Sequence, residues 1–451
     1  MDQRRRIELL SGAVLIAAML ATATVFASGQ TQVASANSGV AQAVSITLDD
    51  AIRRAEASEP AYAASSAESK SAAIDRSIAR GELLPSVVYH NQAFYTQGSG
   101  APASADSPKF IASNGVHEYA SQAVANETLG LGQFAAVRRA DAASARATAE
   151  LEIARRGLVA AVTGLFSESI AADNKLIVAE RAYAEAADFS SLTQKREMAR
   201  EAAHADVVKA QLAEQQRQRD WMDVKVGAEK AHLELAVLLF ADPRTPFTLV
   251  RPAVADLSSR AEVDLAAAQN NPELKSVLAS LRVSDTDVQA ARAAYLPDLG
   301  LNVTYGIDAP QLAVNGPDGV RNLGYSAIVT LDIPVWDWLT TQHKVKQEEI
   351  RRDAVRTALT ATQRRLIVRL DEAYSEATTA RDQLASLDAS VATATESLRL
   401  TKMRYTGGEA SVLDVVDAQS AYVSAQNARE DGWVRYEAAR ADLQTLTGTM
   451  E

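Results

Sequence analysis

From Leu359 onward apolar residues return every seven positions, at Leu366, Ala373, Ala380, Leu387 and Ala394. A second set, Leu370, Ala377, Leu384, Val391, Leu398 and Tyr405, is interleaved with the first. This three-four spacing lays one apolar stripe along a helix and predicts supercoiled packing against a partner helix. The pattern also stands 208 residues earlier, at Leu151, Leu158, Leu165, Ala172, Ala179 and Ala186, with Val162, Leu176 and Tyr183 between them. The earlier helix is expected from about Phe134 to Arg200, a length of roughly 100 Å at 1.5 Å per residue. Each long helix breaks at a polar turn, and a returning helix follows, to about Phe240 in one case and Thr447 in the other.

A second period lies upstream of each helix pair. Leu299, Leu301, Val303, Tyr305 and Ile307 alternate with Gly300, Asn302, Thr304 and Gly306. Leu323, Tyr325, Ala327, Val329, Leu331 and Ile333 do the same beyond a Gly/Pro/Asn loop. Period-two alternation over about ten residues, twice, predicts a hairpin with one apolar face. The equivalent segments of the first half are 87–95 and 119–129, joined by a loop over 96–118. That hairpin is more polar, with His90, Asn91 and Gln92 in one strand. Ahead of each hairpin runs a helix bounded by prolines, Pro60 to Pro85 and Pro272 to Pro297, each pair 25 residues apart. Thr47 is suited to cap a helix over Leu48 to Gly81. The chain is therefore a tandem duplication. Its halves are placed at 46–250 and 261–448, with a linker at 251–260 and an N-terminal segment at 1–36.

The fold class that follows is mainly α with a small β portion: duplicated long antiparallel coiled coils plus four strands per chain. Four strands cannot close a barrel, since known membrane barrels need at least about eight. Open strand edges are not tolerated in lipid. If the hairpins enter a membrane, copies must share a barrel, of eight strands for two chains or twelve for three.

Composition narrows the function. Aromatic residues make up only 5% of the chain and Ala is abundant, which suits closely approaching helices better than a bulky globular core. There is no cysteine, which removes disulfides, thiolate metal sites and a lipidated N-terminal Cys. A net charge of −11 argues against nucleic acid as a partner. Arg4, Arg5 and Arg6 before the apolar stretch Leu9 to Ala27 have the form of an export signal, with small-residue cleavage positions at Ala27 or Ala36.

Further local matches carry the resemblance. Asp332-Ile333-Pro334-Val335-Trp336-Asp337 leads into the second long helix. Arg404-Tyr405-Thr406-Gly407-Gly408 is followed by Leu413-Asp414-Val415-Val416-Asp417-Ala418-Gln419, and Leu446-Thr447-Gly448 closes the repeat. With the duplicated helix and strand modules, these make the chain resemble the TolC-type outer-membrane factor family from Leu48 to Gly448. The first copy departs from the family at Thr128, where a proline is expected before the helix. The resemblance implies a homotrimer with a twelve-stranded barrel in the outer membrane of a Gram-negative bacterium and a helical barrel in the periplasm. It further implies a passive exit duct for a tripartite efflux pump or type I secretion, with a periplasmic adaptor (membrane fusion) protein, an inner-membrane transporter and outer-membrane lipid as partners.

The family also implies that the turn around Tyr405, Gly407 and Gly408 lies at the periplasmic tip, where acids line the entrance. Asp414 and Asp417, three apart on one helix face, and their first-copy relative Asp206 are the candidate ring, able to favour cations. Asp at a helix start also simply complements the dipole. Gly407 and Gly408 are expected to serve a turn that needs positive φ. Trp336 and Trp338 either anchor at the membrane interface or pack at a strand-to-helix corner. Gly130-Leu131-Gly132-Gln133-Phe134-Ala135 matches a dinucleotide loop in letters only, since the helix after it is far too long and no parallel strand follows. The five histidines show no metal-ligand spacing. No enzyme activity and no cofactor are expected. The alternative function is a structural periplasmic coiled coil without a pore.

Overall fold

The computed structural model describes residues 44–95, 117–316 and 319–448; the expected export signal lies outside them. The chain opens with β1 (Val44–Ile46), α1 (Leu48–Ser58), α2 (Pro60–Gly81), β2 (Ser86–Tyr95), β3 (His117–Leu129), α3 (Leu131–Met198) and α4 (His204–Leu239). After β4 (Phe247–Leu249) come α5 (Arg260–Asn270), α6 (Pro272–Ala293), β5 (Asp298–Ala309), β6 (Leu323–Asp332), α7 (Thr340–Thr406) and α8 (Val412–Thr447). The halves match in length as well as order. α1 and α5 have 11 residues each, α2 and α6 22 each, α3 and α7 68 and 67, and α4 and α8 36 each.

The helix expected over Leu48 to Gly81 is two helices. Proline disfavours the α conformation in the residue before it, and Glu59 is accordingly extended (φ −75°, ψ 117°). Asn271 repeats the break before Pro272, and there it is built in. Asn271 is buried, its Oδ1 accepts from the Leu274 N–H at 2.9 Å, and its Nδ2 donates to the Leu446 carbonyl at 3.2 Å. The cap at Thr47 forms as expected, its hydroxyl accepting from the Asp50 N–H.

The heptad positions are the packed ones. Leu370, Ala373, Ala377, Ala380, Leu384, Leu398 and Tyr405 are the buried apolar residues of α7, and Leu158, Val162, Ala179 and Ala186 are among those of α3. α3 pairs with α4, α7 with α8, and α3 also lies against α8, so the halves join through the long helices. The largest buried cluster gathers Ile46, Ala51, Leu158, Phe166, Leu235 and Trp433. The linker is strapped to this cluster: Arg251 stacks 3.9 Å from the Trp433 ring centroid and donates to Glu430 at 2.9 Å. Just before that linker, β4 pairs in parallel with β1, Val44 opposite Phe247. Three-residue strands are too short to show a period, and the sequence gives no sign of either.

The remaining strands form one antiparallel sheet in the order β2-β3-β5-β6. Side chains alternate across a strand, so the register sorts the faces. One face carries the row Tyr89, Ala123, Tyr305, Tyr325 and the row Val87, Ala125, Val303, Ala327. The other carries His90, Gln122, Gly306, Gly324 and Gln92, Ala120, Asp308. The polar first hairpin is thereby explained. His90 and Gln92 stand on the polar face, and Asn91 alone of the three shares the apolar one. There the Ser121 hydroxyl donates to Asn91 at 2.8 Å and lies 2.8 Å from the Tyr89 hydroxyl, so polar groups satisfy each other. Thr128, where the family's proline is expected, is a strand residue opposite Gly300. The helix begins after Gly130, where an added Cβ would stand 1.8 Å from an Asp298 carboxylate oxygen.

Candidate functional site

The sheet stands at the starts of α3 and α7, and their far ends, about 100 Å away along a 68-residue helix, form two helix-to-helix turns. The turns are built alike. In the second half the Gly407 N–H donates to Met403 O, Gly408 to Tyr405 O and Glu409 to Arg404 O. In the first, Ala199 donates to Lys195 O, Arg200 to Glu197 O and Glu201 to Arg196 O. Each turn needs one left-handed residue, Gly408 (φ 80°) in one and Arg200 (φ 62°) in the other. The expectation that both glycines supply positive φ is corrected for Gly407, which is right-handed at φ −77° because it is the last helical residue's cap and not the turn's pivot.

One side chain ties the two turns together. Arg196, at the end of α3, donates to the carbonyls of Tyr405 and Thr406 at 2.8 Å each. These are among the last carbonyls of α7, which have no partner within their own helix. The guanidinium also lies 4.8 Å from the Tyr405 ring centroid. Tyr405 is buried, edge-on to Phe189 at 4.9 Å, with its hydroxyl 3.3 Å from the Thr193 hydroxyl. Val412, Val415 and Ala210 complete the cluster. Arg196 is visible in the sequence only as the repeat partner of Arg404, which here bonds within its own turn, to Glu409 O at 3.3 Å.

The candidate acids divide by environment. Asp414 belongs to a capping box: its carboxylate accepts from the Ser411 N–H at 2.8 Å and the Ser411 hydroxyl at 2.9 Å, while the Asp414 N–H donates back at 3.2 Å. Those bonds stabilise the anion and hold its pKa below the ordinary 3.8. Asp417 is exposed one turn further along the same face, with no hydrogen-bond or ionic partner among the described residues. Asp206 is half-buried in the first turn of α4, where Ala203 replaces the capping serine. Lys209 stands in the first copy where Asp417 stands in the second, so the two halves present different charges.

At the other end, the apolar face of the sheet is bare: Val87, Tyr89, Tyr305, Tyr325 and Val329 are all exposed. Trp336 and Trp338 follow β6, 69% and 81% exposed, and touch each other edge-on at 5.7 Å. Among the described residues no helix is long and apolar enough to cross a membrane, and no cluster of His, Asp and Glu could hold a metal ion.

Residues 265–449 match the family described as "Outer membrane efflux protein". The chain is 26% identical to the outer membrane protein OprJ of Pseudomonas aeruginosa over 180 residues, 40% of this chain and 37% of that one. It is 30% identical to the outer membrane protein TolC of Vibrio cholerae over 171 residues, 36% of each. The matched segments thus span little more than a third of either relative. The fold matches far more widely. The CmeC outer membrane channel of Campylobacter jejuni superposes with a TM-score of 0.75 at 16% identity, over 89% of this chain and 85% of that one. The second repeat thus matches that family, and the fold of the described residues as a whole is that of solved outer membrane channels.

Proposed function

We propose that three copies of this chain assemble into a channel in the outer membrane of a Gram-negative bacterium. The channel is the passive exit duct of a tripartite efflux pump or type I secretion system. The observation that carries this reading is the sheet: four strands, one apolar face, and two edges that no other strand among the described residues pairs with. Lipid solvates the apolar face, while unpaired edges in lipid cost several kcal/mol per group. Twelve pooled strands remove every edge and leave a lumen. The repeats at 46–250 and 261–448 then supply alternate staves of a helical tube. A periplasmic adaptor and an inner-membrane transporter deliver cargo to the far end, and no catalysis is required of this chain.

In this reading the tip turns form the entrance, with Asp417 as the free carboxylate of a ring to which Asp414, bonded to the Ser411 N–H, and the half-buried Asp206 also contribute. Purified from outer membranes and added to a planar bilayer, the protein should give discrete conductance steps. Recovery as detergent-free monomers without conductance would instead establish a structural coiled coil. Block by multivalent cations should weaken more in Asp417→Ala than in Asp414→Ala, and block unchanged from the parent chain in both variants and in the double variant would remove the ring assignment.

A further inference from the structure

We infer that the two open edges of the sheet pair between copies in one fixed register, with Asp332 of one copy beside His90 of the next. This rests on the reading of the sheet as part of a barrel shared between copies.

The register comes from the duplication. The first hairpin opens with Ser86 opposite Asn126 and the second with Asp298 opposite Asp332. A proline, Pro85 or Pro297, precedes each. Ser86 and Asp298 therefore hold the same place, as do Asn126 and Asp332. Where the hairpins meet inside the chain, Asn126 stands opposite Asn302. Asn302 lies four residues into β5, and the residue four into β2 is His90. Repeating that seam between copies puts Asp332 opposite His90 and, on the same face, Thr330 opposite Gln92. On the other face it puts Val329 opposite Ala93, Leu331 opposite Asn91, Ile333 opposite Tyr89 and Val335 opposite Val87.

Two observations on this chain favour that register. Within the chain, Asn302 donates to Asn126 across the seam at 2.5 Å. The inter-copy counterpart is an imidazole against a carboxylate, again a donor facing an acceptor. The second concerns length. β3 runs three residues past Asn126, to Leu129, and those residues pair with β5 alone. β6 stops at Asp332, because Ile333 to Val335 have no second strand beside them in a single copy. Ile333 and Val335 are 61% and 87% exposed, and the residues assigned to cover them, Tyr89 and Val87, are 67% and 71% exposed. Pro334 offers no N–H, which a strand end tolerates. A slip of one residue would turn the apolar face into the lumen. The competing registers are therefore those displaced by two.

The chain has no cysteine, so introduced pairs report cleanly. The in-register pairs are His90→Cys with Asp332→Cys, and Asn91→Cys with Leu331→Cys. The displaced pairs are Asn91→Cys with Val329→Cys, and Asn91→Cys with Ile333→Cys. Disulfides form only when Cα atoms lie within about 7 Å. Oxidised in native envelopes and run on non-reducing gels, at least one in-register pair should yield covalent oligomers about tenfold faster than either displaced pair. Two in-register pairs guard against one variant failing to fold. Faster linkage of a displaced pair would overturn the register and leave the shared barrel standing. No linkage from any pair, with the protein present in the outer membrane, would overturn the register and the strand sharing together.

Discussion

Arg196 holds the backbone of Tyr405. Its two N–H groups reach the carbonyls of Tyr405 and Thr406, and its guanidinium lies over the Tyr405 ring. A side chain of the first repeat thus terminates the long helix of the second. Replacing Arg196 by Met keeps the aliphatic stem and removes the donors and the charge. Hydrogen bonds from a charged group are worth about 1.5–3 kcal/mol and a cation over an aromatic ring about 0.5–1 kcal/mol. The tip should loosen by about 2–4 kcal/mol locally. Amide hydrogen exchange over 403–409 should accelerate accordingly, with the sheet unaffected. Arg196→Lys, with one compact head, should fall between the two.

The capping box makes a second, asymmetric prediction. Ser411→Ala removes the acceptor for the Asp414 N–H and should cost about 1 kcal/mol in the first turn of α8. Ala203 occupies the same backbone position in the first half, extended at φ −77°, ψ 148° against φ −84°, ψ 165° for Ser411. Asp206 waits three residues on, so Ala203→Ser should complete a box that is half present and stabilise α4 by about 0.5–1 kcal/mol. Thermal melts of the two variants should move in opposite directions.

Acid should undo the Asp414 part of that box. The folded-state pKa is depressed by the Ser411 hydrogen bonds, so the stabilisation is fully present above the ordinary value of 3.8. It is lost as pH falls through the lower folded value. Exchange at 411–415 should therefore quicken on acidification below about pH 4 in the native chain. In Asp414→Asn the same segment should start faster and respond less.

Left-handed backbone separates the two tip turns. Gly408 meets nothing within 4 Å of where a Cβ would stand, so its requirement is conformational alone. Gly408→Ala should cost about 1 kcal/mol, the penalty of a left-handed L-residue. Arg200 already bears that penalty at φ 62°. Arg200→Gly should relieve it and gain nearly as much back in unfolded-chain entropy, leaving a change under about 0.5 kcal/mol.

Much of this was legible because burial is periodic where the helices are long. The seam from Leu370 through Ala377 and Leu384 to Tyr405 is buried, as its spacing requires. The alternation at 299–307 gave the second hairpin. What escaped has physical causes. The break before Pro60 is a one-residue event inside an otherwise helical run. β1 and β4 hold three residues each, and their pairing joins segments some 200 residues apart. The Arg196 clamp has its acceptor in the other repeat, beyond the reach of any local pattern. Asp414 was legible as an acid on an exposed face, but its bonds to Ser411 depend on the cap geometry.

The two halves differ in their connecting loops and in many side chains, yet α4 and α8 keep the same 36 residues. Both hairpins of helices therefore end level with one another, as fingers of one hand trimmed to a common height. A single heptad inserted into one pair alone would leave alternate fingers about 10 Å too long. A change in finger length must then be made in both halves in step if the tips are to stay level, while the side chains on each fingertip, Lys209 on one and Asp417 on the other, remain free to differ.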